Sequence, residues 1–288
     1  METRQLKWFL LLVLALIWGS SFILIELGLD GLNPYQLGSL RIVCAAVFLL
    51  AVSYKNLPEI PRHQWKYVAL AGLFGNFIPA YFFALAETQI SSSVTSILNS
   101  LTPVNALILG TAFFGLSVKR SQVIGLIIGL IGTMILILSG AIDHPTQNYW
   151  FAGFVLVATM CYATNVNLVK KYLSDLSPKA ITAGNFAIML LPALIILLAT
   201  GYLYIATTPQ TLKASFFVLL LGVFGTGIAN ILFYKLIQIS SPVFSTQVTY
   251  LIPIVACAWG ILYGESLSAL QLLGAAIILV GVYLTGKK

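Results

Sequence analysis

Charge is what this sequence has least of. Of its 288 residues, 8 are Asp or Glu and 15 are Lys or Arg, so that charged residues make up 8% of the chain. Soluble domains carry about 25% charged residues. The hydrophobic share is 59% and the mean hydropathy is +0.99. This balance excludes an ordinary soluble domain and indicates a protein that crosses a membrane several times.

Metal ligands and reactive side chains are also scarce. The chain has 3 cysteines and 2 histidines. Cys44, Cys161 and Cys257 lie in apolar stretches without the spacing of metal or redox motifs, and no Walker A sequence is present. We therefore expect no metal, no cofactor and no direct use of ATP. An integral-membrane enzyme, which is the alternative from another class, would need a nucleophile and base, paired carboxylates or metal ligands in one pocket.

The basic residues are dispersed, which argues against a nucleic-acid partner despite the formal charge of +7. They occur in ones and twos between apolar runs and form no basic stripe. The termini and the even-numbered connections carry nearly all of them, whereas the odd-numbered connections carry acidic residues and Lys213 alone. By the positive-inside rule, both termini are expected in the cytoplasm.

Apolar runs of about 20 residues, the length that crosses a bilayer, occur ten times. Most connections between them are short and contain helix-start signals such as Asn33-Pro34, Ser177-Pro178 and Ser241-Pro242. The predicted fold class is therefore all-α, an integral membrane protein of ten transmembrane helices. The predicted spans are 6–27, 34–54, 65–86, 91–116, 121–140, 150–171, 178–200, 213–236, 241–263 and 267–285.

The chain contains an internal repeat of five spans. A shift of 150 residues places "SILNSLTPVNALILG" (96–110) on "TQVTYLIPIVACAWG" (246–260), with Pro103 on Pro253. Because five is odd, the second copy must enter the membrane from the opposite side. We predict two inverted-topology repeats, over residues 1–143 and 149–288, with a substrate site between them near the midplane. A stable bundle without transport is the alternative.

The sequence then shows a family resemblance over essentially its whole length. "LALIWGSSFILIELGL" at the start, "ALAETQISSSVTSILNSLTPV" in the middle and "YLIPIVACAWGILYGESLSALQLLGAAIILVGVYL" at the end resemble the EamA-like branch of the drug/metabolite transporter superfamily. The resemblance implies an inner-membrane carrier of small metabolites, often an exporter of amino acids and related compounds. One departure is that the Gly-Glu pair of this pattern survives as Gly264-Glu265, whereas the first half has Gly115-Leu116.

The resemblance and the repeat lead to a functional prediction. We expect a secondary-active transporter of the bacterial inner membrane that exports amino acids or related metabolites by alternating access. The alternatives are an importer of a nucleotide-derived or cationic metabolite and, less favoured, a membrane enzyme. The expected partners are membrane lipid and a small-molecule substrate, and a homodimer is a further hypothesis.

Polar residues within the apolar runs are the candidate site, because a polar group in hydrocarbon must face protein or water. Thr102 and Asn99 share one face of the fourth span, and the competing interpretation for them is hydrogen bonding between helices. Pro103 and Pro253 are predicted hinges, with static bends as the alternative. The candidates that line the cavity are Trp18, Ser21, Arg41, Asn76, Tyr81, Asn99, Thr102, Tyr162, Asn165, Asn230, Tyr234, Thr249 and Tyr250.

Arg41 is the one basic residue well inside a predicted span, about 10 Å from the start of its helix at ~1.5 Å per residue. It could bind a substrate carboxylate, or it could form a structural pair with Glu26 or with backbone carbonyls. The structural role is favoured, because the family to which the resemblance points has Arg here for dissimilar cargoes. Asn185 occupies nearly the same place in the second copy and is interpreted as its uncharged replacement.

Overall fold

A computed structural model describes residues 3–115, 120–143, 147–264 and 267–286, and every regular element in these ranges is helical. Eight helical segments are long and apolar enough to cross a membrane, and two further apolar helices accompany them. We number them one to ten along the chain. Segments one to four are Gln5–Leu29, Pro34–Glu59, Arg62–Ala86 and Ser92–Phe114; segment five is Arg120–Asp143; segments six to nine are Tyr149–Tyr172, Pro178–Ala199, Pro209–Ile239 and Phe244–Leu262; segment ten is Ala269–Gly286.

Helix starts agree with the turn signals in the sequence. The Asn33 side chain accepts from the backbone N–H of Gln36 at 2.9 Å, and the Gln36 side chain accepts from the backbone N–H of Asn33 at 3.0 Å. This reciprocal pair satisfies two N–H groups that have no partner within the helix. Ser177 and Thr208 cap segments seven and eight, each followed by a proline at the first helical position.

Glutamine side chains at the starts of segments three and eight bond to residues of the opposite half of the chain. Gln64, at the start of segment three, donates to the Asp175 carboxylate at 3.0 Å and to the Tyr172 carbonyl at 3.2 Å. Gln210, at the start of segment eight, donates to the Asp30 carbonyl. These bonds fix segments three and eight against the opposite half of the chain, and so they position the walls of the interior.

The outer surface of the bundle is apolar. Leu16 is 61% exposed, Leu191 is 66% exposed and Ile195 is 58% exposed. Large aliphatic side chains at this exposure are costly in water but suit lipid, which is as apolar as a protein interior. The polar residues of the segments instead face inward, among them Asn99, which is 4% exposed, and Asn165, which is 3% exposed.

Candidate functional site

A cavity of about 750 Å³, which includes its open mouth, lies between the two halves of the chain. Segments one to four supply one part of its wall, and segments six, eight and nine supply the other. Small-molecule sites are typically concave and mostly apolar, with a few polar groups that fix the orientation of the ligand. Ten of the predicted site residues line it, namely Trp18, Ser21, Arg41, Asn76, Asn99, Thr102, Tyr162, Asn165, Asn230 and Thr249.

Three predicted tyrosines lie outside the cavity lining. The Tyr81 hydroxyl bonds to Ser39 at 2.9 Å, and its ring packs against Gly38. Tyr234 is fully buried and bonds to Asn185 at 2.8 Å. Tyr250 is partly buried and packs against a hydrophobic cluster that includes Leu98 and Ile252. None of the three is among the residues that line the cavity, so that the prediction of a cavity-lining position is corrected for these three.

Segments three and eight each contain a π-helical stretch at equivalent positions. The stretches are Leu73–Phe77 and Leu221–Ile228, and the 150-residue shift places the first within the second. A π-helical turn is rare and is frequently found at functional sites. Here the two stretches place Asn76 and Thr226, which the same shift aligns, at the interface between the halves.

The π-helical stretches approach segments one and six very closely. A Cβ atom at Gly75 would lie 2.5 Å from Asn165 Nδ2, and one at Gly225 would lie 2.6 Å from Ser21 Oγ. The Trp18 indole N–H also donates to the Gly225 carbonyl at 2.9 Å. Any side chain at these glycines would displace a polar residue of the cavity wall, so the two glycines set the position of that wall.

Arg41 is 9% exposed and lines the cavity. Its Nε–H donates to Thr226 Oγ1 at 2.7 Å, and the Thr226 hydroxyl in turn donates to the Leu221 carbonyl at 3.1 Å. The carboxylate of Glu87 attracts the guanidinium electrostatically. The structural role predicted for Arg41 invoked Glu26 or backbone carbonyls, whereas its hydrogen-bond partner among the described residues is a neutral hydroxyl in the π-helical stretch.

Segment four is interrupted where its polar residues cluster. One helix ends at Asn99 and the next begins at Thr102, with Pro103 in its first turn. Pro103 has no N–H to offer the Asn99 carbonyl, and the Thr102 hydroxyl donates to that carbonyl instead at 2.7 Å. Pro253, by contrast, lies inside the continuous helix Val248–Leu262. The two prolines therefore have different local structures, and their role as hinges stays a prediction.

Aromatic rings form much of the remaining wall. The rings of Trp18 and Phe233 are 4.9 Å apart, those of Phe22 and Phe83 are 5.7 Å apart, and those of Phe83 and Tyr162 are 5.8 Å apart. Edge-to-face and stacked pairs at these distances are favourable beyond their burial. They give the cavity a firm apolar surface beside its few polar groups.

One of those polar groups has unused hydrogen-bonding capacity. Asn230 Nδ2 donates to Asn76 Oδ1 at 2.8 Å and to the Thr226 carbonyl at 2.7 Å, which ties segment eight to segment three. The side chains of Asn76 and Asn165 both interact with the buried Tyr234 hydroxyl, but Asn165 Oδ1 is buried without a hydrogen-bond partner among the described residues. The cavity wall therefore combines the Arg41 cation and an amide acceptor with aromatic surface.

Sequence reasoning missed several residues that build the site. Thr226, Gly75, Gly225 and Phe233 were not among the candidates, yet they hold or line the cavity. The 150-residue shift aligns "LAGLFG" (70–75) with "LLGVFG" (220–225), and this alignment pairs Gly75 with Gly225. The next position of the same alignment pairs Asn76 with Thr226. Hydrophobic Phe233 gave no signal, because its type is common in any membrane helix.

Comparison with known proteins matches the sequence to the EamA-like transporter family twice, over residues 6–138 and 150–287. An Escherichia coli relative named "Uncharacterized inner membrane transporter YedA" is 28% identical over 95% of this chain and 88% of its own. A Salmonella typhimurium relative named "Probable amino-acid metabolite efflux pump" is 26% identical over 96% and 93%. A solved crystal structure matches with a TM-score of 0.65 and 15% identity over 96% of this chain and 94% of its own, which supports the fold.

Proposed function

Since the chain belongs to the EamA-like transporter family, we propose that this multi-pass membrane protein is a secondary-active transporter that exports amino acids or related small metabolites by alternating access. The observation that carries the proposal is a polar and aromatic cavity between the two halves of the chain. Transporters built from repeated halves hold their substrate in such a place. The name of the Salmonella relative supports amino acids as the cargo class.

The proposed mechanism uses the repeat. Residues 1–143 and 149–288 form two five-helix repeats of opposite orientation, which would have two packings of similar energy, one open to each side of the membrane. Both termini lie in the cytoplasm, and the membrane is the bacterial inner membrane, as the name of the YedA relative suggests. Membrane lipid surrounds the apolar outer face, and a homodimer is a further hypothesis.

The charge of the cavity separates the alternatives. Arg41 lines it, and no acidic residue is found among its described lining residues. A cationic metabolite would meet this guanidinium with no carboxylate among the described lining residues to bind it, which is unfavourable at low dielectric. The importer of a cationic metabolite is therefore the weaker candidate. A membrane enzyme is disfavoured by the family, whose members are described as transporters.

A flux panel in proteoliposomes tests the proposal. The purified chain would be reconstituted and offered amino acids, nucleosides, S-adenosylmethionine, choline and aromatic cations. We expect flux of at least one amino acid, and loss of that flux when Gly75→Leu fills the cavity wall. No flux for any compound, together with turnover of a lipid substrate, would overturn the transporter and favour the enzyme.

A further inference from the structure

We propose that Arg41 binds the carboxylate of the transported compound in an orientation that Thr226 fixes, and that Asn165 Oδ1 accepts a hydrogen bond from its amino group. Thr226 is thus a positioning residue for substrate selection. This inference rests on the proposed function and narrows its substrate to compounds that carry a carboxylate beside an amine.

The hydrogen bonding of Arg41 points to a ligand. The guanidinium has five N–H donors. One of them, Nε–H, bonds to a protein acceptor among the described residues, the Thr226 hydroxyl. The Nη groups remain for the cavity that Arg41 lines. A guanidinium matches a carboxylate through two parallel hydrogen bonds, which a lysine ammonium cannot reproduce. A carboxylate is therefore the ligand group that best completes this arginine.

Thr226 can hold the guanidinium because its hydroxyl is itself oriented. The hydroxyl proton is directed to the Leu221 carbonyl, five residues earlier in the π-helical stretch. The oxygen lone pairs then face Arg41 and accept its Nε–H at 2.7 Å. With Nε fixed, the plane of the guanidinium is fixed as well, and preorganised donors bind more tightly than mobile ones. Serine would keep this arrangement, whereas valine would keep the shape and lose the acceptor.

Asn165 offers a hydrogen-bond acceptor to the amino end of the ligand. Its side chain is 3% exposed and lines the same cavity, and its Oδ1 has no donor among the described residues. A buried acceptor without a partner is costly, and a ligand amine would satisfy it. Gly75 leaves the space that this amide occupies. The cavity then holds a donor for a carboxylate and an acceptor for an amine, and aromatic rings line it as well.

Direct binding to the purified full chain tests the inference. The probes are leucine, leucinamide, which lacks the carboxylate, and 4-methylpentanoate, which lacks the amine, each titrated by calorimetry. We expect leucine to bind most tightly, 4-methylpentanoate more weakly, and leucinamide at least about tenfold more weakly than leucine, because a charge-assisted hydrogen-bond pair is lost. Equal binding of leucine and leucinamide, or no binding of either carboxylate, would overturn the inference.

Variants separate positioning from structure. Thr226→Val should weaken leucine binding about tenfold, since it removes an acceptor that orients a charged donor, while leucinamide binding stays unchanged. Thr226→Ser should restore leucine binding. Thr164→Val is the matched control, because the Thr164 hydroxyl bonds the Met160 carbonyl on its own helix and lies outside the cavity lining. If Thr226→Val weakened leucine and leucinamide equally, or Thr226→Ser failed to restore binding, the positioning role would be wrong.

The failure of this inference can be told apart from the failure of the proposed function. Flux of any compound in the panel, combined with leucinamide binding as tight as leucine binding, would keep the transporter and remove the carboxylate site. No flux of any compound, together with turnover of a lipid substrate, would remove the transporter, whatever the binding titrations showed.

Discussion

Segments two and seven make the clearest comparison in the molecule. Arg41 and Asn185 stand seven residues after the first proline of their segments, Pro34 and Pro178. Arg41 lines the cavity and bonds to Thr226. Asn185 is fully buried, and when its amide is oriented so that Oδ1 accepts from the Tyr234 hydroxyl, Nδ2 donates to the Val68 carbonyl at 2.8 Å and to the Ile181 carbonyl at 3.0 Å.

The difference between these two positions comes from Tyr234. Its fully buried hydroxyl bonds to Asn185 at 2.8 Å, whereas the 150-residue shift places Ala84 at the equivalent position of the first half. A phenol can reach a neighbouring amide and close the space around it, and a methyl group cannot. The two repeated halves therefore differ at this position. Arg41 in the first half is available to a ligand, whereas Asn185 in the second half has its hydrogen bonds satisfied and is closed off.

The largest expected effect is that of Arg41→Gln. Removing the charge removes the proposed carboxylate contact, and we expect kcat/KM for amino-acid efflux to fall about a hundredfold, the range for loss of a charged hydrogen-bond partner. Vesicle efflux at matched expression measures it. Unchanged efflux at normal expression would exclude the substrate role, and Arg41 would then be purely structural.

Tyr234→Phe should act on stability instead. It leaves Asn185 Oδ1 without its donor in a fully buried site, at a cost of about 1–3 kcal/mol in the free energy of unfolding. Thermal or denaturant unfolding in detergent measures this cost. Because the Tyr234 hydroxyl also interacts with Asn165 and Asn76, the KM for amino-acid efflux should change, but by less than in Arg41→Gln. A change in KM as large as that of Arg41→Gln would mean that Tyr234 contacts substrate as well as Arg41.

Gly225→Ala should destabilise the chain by about 1 kcal/mol or more, because its Cβ would lie 2.6 Å from Ser21 Oγ. Ser21→Ala removes that oxygen, so the double variant should recover most of the lost unfolding free energy. Gly153→Ala, with no atom within 4 Å of its Cβ, is the control and should be neutral or stabilising. Additive effects of the Gly225 and Ser21 changes would contradict the close approach.

Asn105→Val is expected to have the smallest effect. The second half has Val255 at this position, so the substitution makes the two halves alike. Asn105 Nδ2 bonds to Thr159 at 2.8 Å between segments four and six, and such bonds in membrane proteins contribute about 0.6 kcal/mol. Unfolding in detergent should show that small loss, with amino-acid efflux unchanged. A large loss of efflux would place Asn105 at the substrate site.

Hydropathy and the internal repeat predicted most of the fold, because the length of each span and the positions of its polar residues can be identified from the residue types. The predicted span 178–200 corresponds to Pro178–Ala199, and 34–54 corresponds to the helix that begins at Pro34. The break at Ser100 and Leu101 within the predicted span 91–116 was not foreseen. A proline in a sequence predicts a missing hydrogen bond, but packing decides whether the helix bends or stops.

The sequence predicted many of the polar residues of the candidate site, but it did not predict how they are arranged. Asn99, Thr102 and Asn165 carried a signal, because an amide or hydroxyl in an apolar span must be satisfied somewhere. The same rule could not distinguish Tyr81, which packs against Gly38, from Tyr162, which lines the cavity. Phenols at similar depth have the same sequence signal, and the neighbouring backbone decides which way each one faces.

The amino-acid sequence by itself therefore determined that this chain spans a membrane, that it is written twice, and that its polar residues gather in the interior. These three properties follow from the free energy of transfer between water and lipid, which depends on the residue type and not on its position in the chain. The tertiary structure alone decided that Arg41 meets Thr226, that Asn185 is closed off by Tyr234, and that Gly75 makes room for Asn165. Such contacts join residues far apart in the sequence, and their distances depend on how the helices pack.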